Sequence, residues 1–259
     1  MPKSIIRSVG ESSWRFSRYA ASRDGSRLAY VGAGDDGSPQ IFVAGIDGTR
    51  IRQLTHDRTG ATSPAWSPDG TKIAYEGHGS DDNKGARNVF VFDVATGEVT
   101  QVTDENRDAW GPQFAPDGSS LIFTKGPNCC PALWTVPVAG GKSTRLIRLS
   151  DGLDDAGNGS LSPDGSLVTF LGGGSPISGG QHCGPCRLVA NADGTERRVI
   201  PGWYVNSAGA WSPDGSRIVE STDDHSIVVV DVATGHATRV AKGDEAIWLD
   251  KHTLLVGIA

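Results

Sequence analysis

The chain has 259 residues, with 24 Lys and Arg against 30 Asp and Glu, a net charge of −6 and a sequence pI near 5.5. No run of Lys or Arg exceeds two residues, which excludes the basic stripe of a nucleic-acid groove, and no apolar run is long enough to cross a bilayer. Hydrophobic residues at 37% and charged residues at 21% exclude wholesale disorder, while 35 Gly and 14 Pro imply many turns.

The first residues, Met1-Pro2-Lys3-Ser4, are not the apolar segment of a secretory signal. Residues 3–9 read as a strand, similar to the closing runs Thr144–Arg148 and Ala237–Val240 further on. The expectation is that this strand joins the last repeat and closes a ring, since an open ring would leave unpaired edges.

From there the chain repeats. Ser67-Pro68-Asp69-Gly70 recurs at Ala115–Gly118, Ser162–Gly165 and Ser212–Gly215, with a weaker copy at Ser22–Gly25. Trp66, Phe114, Leu161 and Trp211 precede the strong copies, and Trp248-Leu249-Asp250-Lys251-His252 is a degenerate sixth. The residues before the turns, at 21, 66, 114, 161, 211 and 248, lie 45, 48, 47, 50 and 37 apart. In each turn Pro presets φ, Asp bonds nearby backbone and Gly supplies a positive φ. An apolar run follows every copy, as in Lys72–Glu76, then a third run such as Asn88–Phe92, a Gly turn, and a fourth run such as Glu98–Val102. Four short strands per repeat form the pattern of a propeller blade. The predicted fold is all-β, a single domain over 1–259: a six-bladed β-propeller of four-stranded antiparallel blades, the last one short and closed by the N-terminal strand.

The repeat resembles the propeller of the TolB family, whose unit reads Trp-Ser-Pro-Asp-Gly, a strand, an Asp-Gly turn and Leu-Thr. Pro64–Tyr75 and Asp47–Thr55 carry the likeness best. The resemblance implies the fold. It is weak for function, because similar propellers serve as protein-binding modules and as non-catalytic gates on peptidases.

The turns after the first and third strands are short and uniform. The loops between second and third strands (76–87, 125–131, 172–185, 222–225) and between blades differ in every repeat. Irregular loops on a rigid scaffold are where function concentrates. The candidate binding residues there are Trp14, Trp110, Trp203 and Tyr204, aromatic and costly to leave in water. With them stand His56, Asp57, Arg58, Arg107, Asp108, Asp154, Asp155, Asp244 and Glu245 as a polar funnel at the channel mouth. His56 with Asp57 is the one acid/base candidate, and drift in unconstrained loops is the bland alternative.

Cys129, Cys130, Cys183 and Cys186 fall in equivalent loops of the third and fourth repeats. Disulfides are the first reading, a four-thiolate zinc site and free thiols the others. Cys183-Gly-Pro-Cys186 matches a redox tetrapeptide, but a strand-like run follows it rather than a helix. Asp pairs such as Asp154-Asp155 suit Ca²⁺ by ligand type without matching a calcium loop. No cofactor is expected, with Ca²⁺ or Zn²⁺ as minor alternatives, and no phosphate loop, nucleophile elbow or metalloprotease helix occurs.

The functional expectation is a non-catalytic module, a monomer, that binds a protein or peptide on its irregular-loop face. The alternative is a hydrolase or lyase with its site in the polar channel mouth. Bridged cysteines favour an exported protein, periplasmic or extracellular, whose leader is not part of this sequence, with the cytoplasm as the alternative.

Overall fold

In a computed structural model of the chain, the backbone is described over residues 4–9, 19–78, 86–104, 108–126, 131–147, 156–177, 181–200 and 209–258. Side chains are described in these stretches except at 4–9, 174–177, 181–186 and 258. The repeated turns form as their composition dictates. The amide of Gly70 donates to the Ser67 carbonyl at 2.9 Å, and Gly70 sits at φ 68°. Asp69 accepts from the Ser67 hydroxyl at 2.6 Å and from the Thr71 amide at 3.0 Å. The same bonds recur at Asp24, Asp164 and Asp214. At Asp117 the hydroxyl is missing, because Ala115 replaces Ser.

These turns fold the chain into meanders. A short first strand, β1 (Ser4–Val9), precedes five four-stranded sheets. The first is β2 (Tyr19–Ala21), β3 (Arg27–Ala33), β4 (Pro39–Gly45) and β5 (Arg52–Gln53). The second is β6 (Thr62–Trp66), β7 (Lys72–His78), β8 (Arg87–Asp93) and β9 (Val99–Gln101). The third is β10 (Ala109–Phe114), β11 (Ser120–Lys125), β12 (Ala132–Pro137) and β13 (Thr144–Arg145). The fourth is β14 (Gly157–Leu161), β15 (Leu167–Ile177), β16 (Gln181–Asn191) and β17 (Arg198–Val199). The fifth is β18 (Ala210–Trp211), β19 (Arg217–Ser221), β20 (Ser226–Asp231) and β21 (Ala237–Lys242). Each keeps its strands in sequence order.

The expectation of six blades, the last one short and closed by the N-terminal strand, meets five four-stranded sheets and one of three strands. The latter joins β22 (Glu245–Asp250), β23 (Thr253–Ile258) and β1 in the order β1-β23-β22. The N-terminal strand does join the last sheet, but it runs parallel to β23, from Ser4↔Thr253 to Val9↔Ile258. In an antiparallel meander the second and fourth strands are parallel. β1 therefore has the direction of a fourth strand but lies in the third place.

A second correction concerns 172–185, expected as a loop. Most of it continues the hairpin, for β15 and β16 run 11 residues each where β7 and β8 run 7. Cys183 and Cys186 lie on β16 opposite Gly174 and Gly172, in strand backbone. Cys129 and Cys130 lie outside the described residues.

By Cα proximity the chain divides into two compact units: 1–15, 128–133 and 145–259 in one, 16–127 and 134–144 in the other. Within the second, both faces of β7 are buried. Ile73 and Tyr75 pack with Ala29, Ile41, Val43 and Trp66, whereas Ala74 packs with Val89, Ala109, Leu121 and Phe123. Two-sided burial explains why the central strands read as continuous apolar runs rather than alternating ones.

The Trp before a turn reaches back one sheet. Trp66 Nε1 donates to the Ala20 carbonyl at 3.1 Å. In the other unit Trp211 donates to Ser160 at 3.0 Å and Trp248 to Ala210 at 3.2 Å. Each accepting carbonyl lies on an edge strand, where a buried acceptor needs a donor from outside its own sheet. A cation clasps two of these indoles. Arg27 lies 4.4 Å from the Trp66 ring and donates to the Gly70 carbonyl at 2.9 Å. Arg217 lies 4.9 Å from Trp248 and donates to the Lys251 carbonyl at 2.9 Å.

Candidate functional site

In the unit of residues 16–127 and 134–144, the richest meeting of polar and aromatic groups is the irregular-loop end of the seam between the second and third sheets. It begins with a bulge. The register of β10 on β11 slips between Trp110 and Gln113, and Gly111 takes φ 63°. This left-handed position turns the Gly111 amide out of its ladder. It donates instead to Glu76 Oε1 at 2.7 Å. Glu76 stands on β7 and is buried, its other oxygen 3.4 Å from the Thr62 hydroxyl and 3.5 Å from the Arg87 guanidinium.

Arg87 opens β8 and is held from two sides. Its amide donates to Asp108 Oδ1 at 2.9 Å, and its guanidinium lies 3.4 Å from Asp108 Oδ2. The same guanidinium lies 5.2 Å from the Trp110 ring centre, within cation–π range. Opposite Arg87 in the register is His78, whose Nδ1 is buried with no hydrogen-bond partner among the described residues. Two carboxylates and one guanidinium thus frame a half-buried indole.

Of the expected site residues, Asp108 and Trp110 meet here. His56 and Asp57 lie one seam away, and each bonds elsewhere rather than to the other as the acid/base candidate would require. His56 Nδ1 is 3.1 Å from Gln53 Nε2, and Asp57 Oδ1 accepts the Thr59 amide at 2.9 Å and hydroxyl at 2.7 Å. Gln40 fixes the Asp57 backbone from both sides, at 2.6 and 3.1 Å. The geometry gives Asp57 the work of holding its own turn. Its charge, after burial, also raises the Tyr75 phenol above the ordinary range. Arg58 is exposed. Trp14, Arg107, Asp154, Asp155, Trp203 and Tyr204 fall outside the described residues.

Asp244 and Glu245 belong to the other unit, where the structure forms a pair the sequence did not suggest. His225 Nδ1 lies 2.5 Å from Asp244 Oδ1, with the imidazole 75% exposed. His225 has φ 57°, unusual for a residue with a Cβ. Its carbonyl accepts the Gly243 amide at 2.9 Å, which ties the loop after β19 to the link into β22. Glu245 begins β22. Nearby, Asp224 accepts from Thr222 and Arg239, and the Thr222 hydroxyl leads the effects that lower its carboxyl to about 2.

Glu76, Arg87, His78 and His225 were not among the candidates. Glu76 left a signal, a charge ending an otherwise apolar strand run, whereas a pairing such as His225 with Asp244, 19 residues apart, leaves none in the sequence. Among the described residues no group of three or more His, Cys, Asp or Glu is placed to hold a metal ion, and no helix is long and apolar enough to cross a membrane.

Tandem four-stranded meanders with one shared turn chemistry and an indole-to-carbonyl link define a β-propeller with four-stranded antiparallel blades. The family follows from residues 8–176, which match the PD40 TolB β-propeller domain; the chain belongs to that family. Among solved structures it is similar to TolB from Acinetobacter baumannii, at 17% identity and a TM-score of 0.71, over 93% of this chain and 57% of that one. The chain thus spans little more than half the length of that protein. It is also similar to an oligogalacturonate lyase from Vibrio parahaemolyticus (15% identity, TM-score 0.54, 88% of this chain and 77% of that one). A third similarity is to the tricorn protease, at 13% identity and a TM-score of 0.62, over 89% of this chain and 26% of that one. No curated protein matches the chain.

Proposed function

We propose that the chain is one non-catalytic propeller domain that binds a protein or peptide on its irregular-loop ends, with the three-stranded sheet as the sixth blade. In this reading it acts as an exported monomer without a cofactor. The observation that supports it most is the Trp110 shelf, an indole left half-buried while charged side chains hold its surroundings in place. Rigid aromatic anchors of this kind carry most of the energy of recognition. The test is selection of a random peptide display library on the immobilised protein. Saturable peptides that lose binding to Trp110→Ala, with the melting curve kept, support the reading. No enrichment over a blank surface overturns it.

The His225–Asp244 pair favours a second reading, because a carboxylate-oriented imidazole is the usual form of a general base. The fold likeness to a lyase gives the substrate to try. Turnover of oligogalacturonate by the wild type, abolished in His225→Ala, would replace the binding module with an enzyme.

A further inference from the structure

We infer that the seam of Asp108, Trp110 and Arg87 is a subsite for a basic side chain of the partner, an arginine before a lysine; this rests on the binding-module reading. The first ground is charge. At the irregular-loop ends of the unit that holds the seam, the described carboxylates are Asp35, Asp36, Asp57, Glu76, Asp104 and Asp108, six in all. The described cations at these ends are three, Arg58, Arg87 and Lys125. At the seam itself Glu76 and Asp108 share the single guanidinium of Arg87, and both guanidinium contacts are long, 3.5 and 3.4 Å. A second cation is therefore attracted rather than repelled.

The second ground is access. Glu76 is sealed, but the Asp108 side chain is 35% exposed and that of Arg87 22%. Trp110 between them is half-buried rather than sealed. The third is chemistry. The indole face attracts a cation, and a planar guanidinium stacks on it while its fork reaches a carboxylate, which an ammonium does less well. His78, opposite Arg87 in the register, keeps a buried Nδ1 without a partner among the described residues. A guanidinium brings five donors and no acceptor, which suits a site that offers carboxylate oxygens.

The test uses the peptides selected on the intact chain. Enrichment of Arg or Lys at one position is expected. Replacing that residue by Gln in a synthetic peptide should weaken binding about tenfold, and Asp108→Asn should cost about the same. The two changes together should cost little more than either alone, the mark of a direct pair. Asn keeps an oxygen for the Arg87 amide, so Asp108→Asn should hold the wild-type melting temperature; if it does not fold, the peptide series still decides. Selected peptides that depend on Trp110 but carry no basic residue overturn the subsite and leave the binding module standing. Insensitivity of a basic peptide to its Arg-to-Gln change does the same. No enrichment at all overturns both.

Discussion

Trp211 and Trp110 are both tryptophans next to a seam, and the structure assigns them opposite consequences when truncated. Trp211 is buried among Val189, Ile200, Ile218, Val228 and Val230, with its indole donating to the Ser160 carbonyl at 3.0 Å. Trp211→Ala leaves a large cavity and an unpaired acceptor, a loss of ~3–5 kcal/mol. For a chain of this size that corresponds to about 10 °C in melting temperature. Trp211→Phe keeps most of the volume and removes only the donor, for ~1–3 kcal/mol. Trp110→Ala removes a half-buried ring and its cation–π contact with Arg87, ~1 kcal/mol and about 3 °C. The assay is calorimetry on the three variants side by side, with intrinsic fluorescence as a second probe of whether one transition is being followed. The order expected is Ala at 211 below Phe at 211, and Phe at 211 at or below Ala at 110. If Trp110→Ala melts as low as Trp211→Ala, Trp110 is a core residue, and both the binding face and its basic subsite lose their anchor.

Deleting Met1–Val9 should strip the β1 edge from β23, lower the melting temperature and promote association, read by calorimetry and size-exclusion chromatography. Arg187 and Glu220, each with a side chain 3% exposed, bond at 2.9 Å. Arg187→Met should cost ~3–5 kcal/mol by stranding a carboxylate that burial already pushes toward protonation, and Arg187→Met with Glu220→Met should recover much of that loss. The turn carboxylates of Asp24, Asp164 and Asp214 are held at about 2 against 3.8, chiefly by the preceding Ser hydroxyl. Their stabilisation is present above pH 3.8 and lost as pH falls through about 2. The acid-induced drop in melting temperature should shrink in a variant with Ser22, Ser162 and Ser212 replaced by Ala. Alkylation and intact mass of native protein should find no more than two reactive thiols among the four cysteines; four would remove the disulfide reading of the sequence.

What the sequence made legible was whatever depends on neighbours a few residues apart. Ser67 through Gly70 dictates its own turn, and every copy announced the strand after it. The fourth-run Leu-Thr also has a local reason, since Thr55 accepts the Ile41 amide at 2.8 Å and donates to Gln40 at 2.8 Å, and Thr103 repeats this with Val89 and Asn88. The long hairpin of β15 and β16 was hidden because Gly172-Gly173-Gly174 has loop propensity, and a pairing partner rather than propensity makes it strand. The direct pairing of β1 with β23 was hidden for a related reason. Its apolar content marks a strand, but only the missing third strand puts it directly against β23. At the candidate site, Asp108 and Trp110 were visible as charge and aromatic in a variable loop. Glu76 and Arg87 looked like the ends of a hairpin, because the bulge at Gly111 that recruits them is a tertiary event.

The backward reach of each indole sets an order of events on the ribosome. Ala20 waits 46 residues for Trp66, Ser160 waits 51 for Trp211, and Ala210 waits 38 for Trp248. Until the later residue leaves the exit tunnel, the earlier carbonyl can be satisfied only by water, so its edge stays wet however well its own meander has formed. Each of these sheets is therefore finished by its successor, and cotranslational folding trails synthesis by about one repeat. A pause within a repeat delays the consolidation of the repeat before it, where the unsealed edge is the point most open to a chaperone or to a neighbouring nascent chain.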